Sequence, residues 1–150
     1  MAGLYFEDFE EGMEFNHPLT RTVTEMDNIM FCAMTHNPQP LHLDEEFSKN
    51  TMFGQRIVNS LFTLGLVIGV TVSDTTLGTT LGNLGMTDVR FINPVFHGDT
   101  IHAVTKITAK RESKSRPTTG IVTFEHYGFN QDDKEVAFCF RTGLIMKRPA

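Results

Sequence analysis

Residues 35–64 read THNPQPLHLDEEFSKNTMFGQRIVNSLFTL. They open on a compact polar segment, Asn37-Pro-Gln-Pro-Leu-His42-Leu-Asp44, and close where Asn59-Ser60 leads into the most apolar run of the chain. Asn59 and Ser60 are both good N-cap residues, so a helix is expected over roughly 61–72. Its residues Leu61, Phe62, Leu64, Leu66, Val67, Ile68, Val70 and Val72 fall on every side of the cylinder, and such a helix has to be surrounded. Gly65 and Gly69 leave room for a sheet or a second copy of the chain to come close to its backbone. Within this stretch a side-chain base, His42, can face the unpaired N–H groups of a helix N-terminus.

Outward from that stretch the pattern separates into two halves. On the N-terminal side, Glu11-Gly12 reads as a turn and 13–22 as a strand interrupted at His17-Pro18. Thr24-Glu-Met-Asp27 forms a capping box. Behind it Met26, Ile29, Met30, Ala33 and Met34 recur at helical spacing, giving an amphipathic helix of about ten residues. Pro38 and Pro40 stop that helix and hold Asn37 and Gln39 out of helical geometry, which orders the loop. Residues 45–50 read as a short helix and Phe53-Gly54 as a turn. From Gly78 onward the period becomes two, with strands over 85–91, 101–110, 119–129 and 135–146; the last two are joined as a hairpin through Asn130–Lys134. Helices first and long antiparallel strands after make an α+β layout, one domain over 1–150, its sheet wrapped around a central apolar helix.

Composition narrows the partners. The chain has 150 residues, 40% hydrophobic and 21% charged, with a net charge of −5, which suits one soluble globular domain. It has no basic run longer than Lys110-Arg111, which argues against nucleic acid. The apolar run is broken by Thr and Gly and is shorter than the ~20 residues a membrane span needs. The N-terminal segment is acidic, unlike a signal peptide, so a cytoplasmic location is expected. Cys32 and Cys139 read as reduced core residues, with a lone disulfide as the other possibility. No metal is expected, because His97 and His102 have no cysteine or carboxylate at ligand spacing. Gly78, Gly82 and Gly85 are not set in the strand-to-helix turn of a nucleotide-binding fingerprint.

NPQPLHLD, then FGQRIVNSLFTLGLV, then DVRFINPVFHGDTI together resemble the MaoC-like hydratases, the (R)-specific enoyl-CoA hydratases, along nearly the whole chain. The resemblance implies a hot-dog fold, an acyl-CoA thioester substrate, no cofactor beyond the CoA of that substrate, and a homodimer or higher homo-oligomer. The family loop has the form D-x-N-P-x-H, and its helix begins after a sequence like I-V-H-G. Matched residue by residue, the histidine falls on His42, the proline on Pro40, the asparagine on Gln39 and the glycine on Ser60. The family aspartate falls on Asn37, a departure. The segment from Arg56 to Asp99 looks more like the branch that acts on mesaconyl-CoA and related dicarboxyl thioesters.

Hydrating a 2-enoyl thioester takes a base for water, an acid for Cα and a donor for charge on the thioester oxygen. His42 suits the first two roles, since an imidazole can take a proton and return it near neutral pH. The Ser60 N–H, backed by the helix dipole, suits the third. Its hydroxyl is a cap, not a nucleophile, since no G-x-S-x-G surrounds it. Asn37 has no basic lone pair and either positions water, marks lowered or lost activity, or is a turn residue before proline. Gln39 supports the loop. Arg56 and Arg90 are candidates for a substrate carboxylate, with structural ion pairing as the other reading. Lys110, Arg111, Lys114 and Arg116 either meet CoA phosphates or form a solvated loop. The expected function is therefore a hydro-lyase acting on a short, branched or dicarboxylic 2-enoyl-CoA. The alternatives are a hot-dog acyl-CoA thioesterase, or a non-catalytic acyl-CoA-binding module.

Overall fold

The computed structural model describes residues 3–149. The outermost positions of the expected 1–150 domain, Met1, Ala2 and Ala150, lie outside that range. Two short strands, β1 (Glu14–Asn16) and β2 (Arg21–Thr22), precede the helix α1 (Glu25–Met34). The capping box forms as its sequence dictates: Thr24 N–H donates to the Asp27 carboxylate at 2.8 Å, and Asp27 N–H donates back to Thr24 Oγ1 at 3.3 Å. Arg21 grips the same carboxylate with two guanidinium N–H groups, which holds the Asp27 pKa down to about 2.

The prolines are not what ends α1. His36 adopts a left-handed φ of 54°. His36 N–H then donates to Ala33 O, and Asn37 N–H reaches back to Cys32 O at 2.9 Å. This is the paired bonding of a Schellman turn, with histidine where glycine is usual. Pro40 does the opposite of breaking structure. It sits at the first position of α2 (Pro40–Leu43), where its missing N–H costs nothing. His42 therefore stands on a helical turn and not in an extended loop. Asp44 closes α2 and caps α3 (Glu45–Lys49), accepting from Phe47 N–H at 3.0 Å.

The central helix is α4 (Ser60–Thr75), and four long strands follow it: β3 (Thr80–Arg90), β4 (Thr100–Glu112), β5 (Thr119–Phe129) and β6 (Glu135–Met146). They pair antiparallel in the order β1-β4-β5-β6-β3, with β2 also lying along β4. β3 begins earlier than the alternation suggested, and its pairing with β6 shifts register between Thr80 and Gly82 and again between Asn83 and Gly85, where the glycines break the pattern. Helix α4 crosses the inner face of β4, β5 and β6. Gly128 is what lets it lie so close, since a Cβ there would meet Val67 Cγ2 at 2.2 Å.

Two apolar clusters fill the inner face. One gathers Val67 and Val70 of α4 with Ile101, Ala103, Val136 and Ala137; the other gathers Phe6, Phe9, Ile107, Val122, Phe124 and Ile145. A buried polar ladder runs between them. Arg141 Nε–H donates to His126 Nε2 at 3.0 Å, and His126 Nδ1 meets Thr105 Oγ1 at 2.8 Å. Thr105 Oγ1 also meets His17 Nε2 at 2.8 Å, and His17 Nδ1 meets the Asp74 carboxylate at 2.8 Å. Arginine can only donate and an ionised carboxylate can only accept, so one set of proton positions satisfies the whole series. Every donor points from Arg141 towards Asp74. Burial, with the Arg141 charge beside it, pushes the His126 pKa down to about 3, so this imidazole is neutral. The stability it contributes is complete above its ordinary value near 6.5 and is lost as the pH falls towards 3.

Not all of α4 is covered. A Cβ at Gly65 or Gly69 would meet nothing outside the helix within 4 Å, and Leu61 is 61% exposed. The edge strand β3 and the segment after it expose Leu81, Leu84, Val89, Phe91 and Ile92.

The ladder yields a direct test of stability. Thr105→Val keeps shape but leaves His17 Nε2 and the His126 N–H without a partner. We expect a loss of about 1–3 kcal/mol in urea unfolding with an unchanged slope. An unchanged midpoint would mean the hydroxyl is not the bridge.

Candidate functional site

The site is built where α2, the segment before α4 and the inside of α1 converge. His42 is 9% exposed, and its Nδ1 lies 2.8 Å from the Ile57 carbonyl oxygen. A carbonyl only accepts, so Nδ1 carries a proton, and in the neutral ring the lone pair is on Nε2. Nε2 has no protein partner among the described residues, yet it is not one of the sealed, unpaired atoms of the interior, so it keeps contact with solvent. The turn itself is pinned from below: the His42 N–H donates to Gln39 O, and Ser48 Oγ donates to Leu41 O at 3.1 Å.

Asn59 is the cap of α4, its Oδ1 accepting from Leu61 N–H at 3.0 Å. Its own carbonyl takes the Thr63 N–H. The Ser60 N–H, one residue into the helix, takes no protein acceptor among the described residues. Ser60 lines a cleft of about 250 Å³ whose other walls include Phe53, Ile57, Phe91, Ile92 and Val136. The cleft is thus mostly apolar, with a free N–H at the positive end of a sixteen-residue helix. Such an end favours an oxygen that gains negative charge.

Asn28, fully buried on α1, ties the two ends together. Its Nδ2 donates to Ile57 O at 3.1 Å and to His42 O at 3.2 Å, and it lies 3.0 Å from His97 Nε2. Its Oδ1 accepts the Asn59 N–H at 2.9 Å. Two carbonyls that only accept and an N–H that only donates fix which way this amide points. His97 must then offer a lone pair at Nε2, and burial together with the Arg56 charge lowers its pKa, favouring that neutral form. The sequence reading passed over Asn28; its signal was an asparagine on the same helical stripe as Cys32, four residues on.

Other expected residues stand differently. Asn37 is half-buried, and its Oδ1 accepts the Gln39 N–H at 3.0 Å, an Asx turn. It lines a second, shallow cleft with Ile29, Cys32 and Leu43, separate from the one Ser60 lines. Gln39 supports the loop through its backbone, while its exposed side chain makes no protein hydrogen bond among the described residues. Arg56, a candidate either for a substrate carboxylate or for structural ion pairing, is held by two carboxylates, Nη1 to Glu25 at 2.7 Å and Nε to Glu45 at 2.8 Å. It joins the start of α1 to the start of α3. Arg90 stacks over the Phe138 ring at 4.3 Å and enters no ion pair among the described residues. Lys114 and Arg116 lie between β4 and β5, at the end of the sheet where Lys147 pairs with Glu112. The Ser60 cleft is at the opposite end, beside the first residues of β6.

Asp74, His17 and Thr105 have the separations of a nucleophilic triad. Thr105 is completely buried and already takes the His126 proton, so no substrate reaches it.

Residues 8–128 match the model of the MaoC-like domain. The chain belongs to that family. The MaoC-like domain here is 31% identical over 98% of its length to the mesaconyl-CoA hydratase of Cereibacter sphaeroides, covering 42% of that protein. It is 32% identical over 108 residues to the (R)-specific enoyl-CoA hydratase of Rhodospirillum rubrum, 69% of each chain. Among solved structures, a MaoC-domain dehydratase from Chloroflexus aurantiacus superposes with a TM-score of 0.91 at 30% identity, over 98% of this chain and 41% of that one. A Mycobacterium tuberculosis protein described as a double hot-dog fold superposes at 0.87 over 98% of this chain and 45% of its own, at 20% identity. The fold is a hot dog, and the chain spans about two-fifths of the length of the first two hydratase relatives it matches.

The structural reading of Arg56 is open to a thermodynamic cycle. Arg56→Gln and the double Glu25→Gln/Glu45→Gln variant should each lose about 1 kcal/mol of unfolding free energy, and the triple variant no more than either. Fully additive losses would show that the three side chains do not act together.

Proposed function

We propose that this MaoC-like domain catalyses the reversible hydration of a 2-enoyl-CoA thioester. The observation that carries this reading is that Asn28 ties together the turn bearing His42, whose Nε2 has no protein partner among the described residues, and the residue before the unpartnered Ser60 N–H. In the hydration direction water adds at Cβ while His42 Nε2 takes its proton. The electron pair of the C=C bond moves to the thioester, and charge on its oxygen is received by the Ser60 N–H. The imidazolium then returns the proton to Cα, so the histidine ends as it began. Asn37 lines the other cleft and its oxygen is engaged by the Gln39 N–H, so only its amide N–H is left to position the water, and only if that side chain turns towards His42. The acyl group occupies the apolar Ser60 cleft, which suits a short or branched chain. The relatives named mesaconyl-CoA hydratase favour a dicarboxyl thioester, and with Arg56 held by Glu25 and Glu45, Arg90 is the cation left for its second carboxylate.

The working unit in this reading is a homodimer. A second copy would cover the β3 edge and the open, glycine-lined face of α4.

Two measurements test these readings. Purified protein should remove the enoyl-thioester ultraviolet absorbance of crotonyl-CoA or mesaconyl-CoA, and His42→Ala should cut turnover at least ~10³-fold. Release of free CoA thiol instead would indicate a thioesterase. Tight binding without turnover, gained on Asn37→Asp, would indicate a binding module. In sedimentation the chain, 16.9 kDa by sequence, should run at twice that mass, and Leu84→Lys with Val89→Lys should run at the single mass. A wild-type monomer would remove the dimer from the proposal.

A further inference from the structure

The geometry points to Asn28 as a positioning residue that sets the base and the oxyanion donor in register, an inference that rests on the hydratase reading of His42. One oxygen, Ile57 O, receives both the His42 Nδ1 proton at 2.8 Å and an Asn28 Nδ2 proton at 3.1 Å. The second Asn28 amide hydrogen is shared between His42 O and His97 Nε2, at 3.2 and 3.0 Å. On its other side the same carboxamide accepts the Asn59 N–H, immediately before the free Ser60 N–H. A rigid planar group is thus bonded to the turn that carries the base, to the carbonyl that sets the base's tautomer, and to the residue that caps α4.

Its surroundings make this placement more than packing. Asn28 is completely buried and none of its polar atoms is left unpaired. Cys32 Sγ lies 3.9 Å from its oxygen and 3.8 Å from Asn59 Nδ2, closing the ring of contacts without competing strongly. An apolar residue of similar size would keep the volume but leave the Asn59 N–H and the His42 carbonyl without partners. Both ends of the site would then be free to shift. Misplacing reacting groups by about an ångström costs on the order of 10²-fold in rate.

Asn28→Asp is the informative variant, because it keeps shape and the acceptor for Asn59 while replacing the amide donor by a carboxylate oxygen. That oxygen would stand where Nδ2 stands, with no hydrogen to give the Ile57 and His42 carbonyls, and its negative charge beside the turn would favour the imidazolium. The titratable and charged groups around this point are His42, His97, and the Glu25–Arg56–Glu45 cluster. We expect kcat to fall about 10²-fold with KM within about threefold, and the acid limb of the kcat/KM profile to move up by about one pH unit. Asn28→Ser, which retains one donor and one acceptor, should recover part of kcat and leave the acid limb at its wild-type position. Both variants are compared at temperatures below their measured melting transitions.

The outcomes separate the two claims. If His42→Ala keeps wild-type turnover, the hydratase reading fails and the Asn28 role fails with it. If His42→Ala is inactive while folded Asn28→Asp keeps the wild-type kcat and acid limb, the positioning role alone is overturned. A fall in melting temperature with unchanged kinetics has the same meaning: Asn28 would then only stabilise the fold.

Discussion

Helix α4 carries one charged side chain, Asp74, in sixteen residues, and that constraint shapes the molecule. A cylinder so apolar has to be taken out of water. Three strands of a curved sheet cover it on one side, and the glycine at 128 brings β5 into contact with Val67. Both of its ends are tied down by hydrogen bonds to buried side chains. At the C-terminal end Asp74 anchors a ladder through His17, Thr105 and His126 to Arg141. At the N-terminal end Asn59 caps the helix and is itself held by Asn28.

The two anchors differ in what they leave free. In the ladder nearly every donor has an acceptor, apart from Arg141 Nη2, and the central hydroxyl is sealed from solvent. Such a network contributes a unique arrangement of strands more than net free energy, since burying an arginine is itself costly. At the N-terminal anchor one donor, the Ser60 N–H, and one acceptor, His42 Nε2, remain without protein partners. Both belong to the segments that Asn28 joins. The contrast separates a site from a scaffold more clearly than the residue types do, since both anchors are built from histidine, hydroxyl and amide groups.

Much of the scaffold was legible in the sequence because its signals are local. The capping box at Thr24, the run of apolar residues after Asn59 and the period-two strands each depend on residues near one another along the chain. What could not be read depends on register. His17, Thr105, His126 and Arg141 each look like ordinary inward positions of a strand, and only pairing of Thr105 with His126 sets them side by side. Asn28 looked like one more residue of an amphipathic helix. Arg56 had two readings in sequence, and the choice was made by Glu25, thirty-one positions away, and Glu45, eleven away, which no local pattern places beside it. Two prolines in a row of polar residues suggested an extended loop, but Pro40 at a first helical position starts a turn as readily as it ends one.

The departure at Asn37 bears on how the proposed chemistry would be balanced. Adding water to a double bond consumes no net proton, since the one removed from water is the one delivered to Cα. A single histidine can therefore serve both steps, and proton balance alone does not require an aspartate. Charge balance is a different matter. Between the two transfers His42 is an imidazolium and the thioester carries the opposite charge. In the family pattern a carboxylate at position 37 would steady that cation, whereas here the neighbours of the ring are the neutral Ile57 carbonyl and the Asn28 amide. An amide at 37 gives geometry without charge. In the proposed hydration the imidazolium would then be stabilised by the substrate itself, through the developing enolate or a second carboxylate, which would tie the identity of the acyl group to the chemistry as well as to the shape of the cleft.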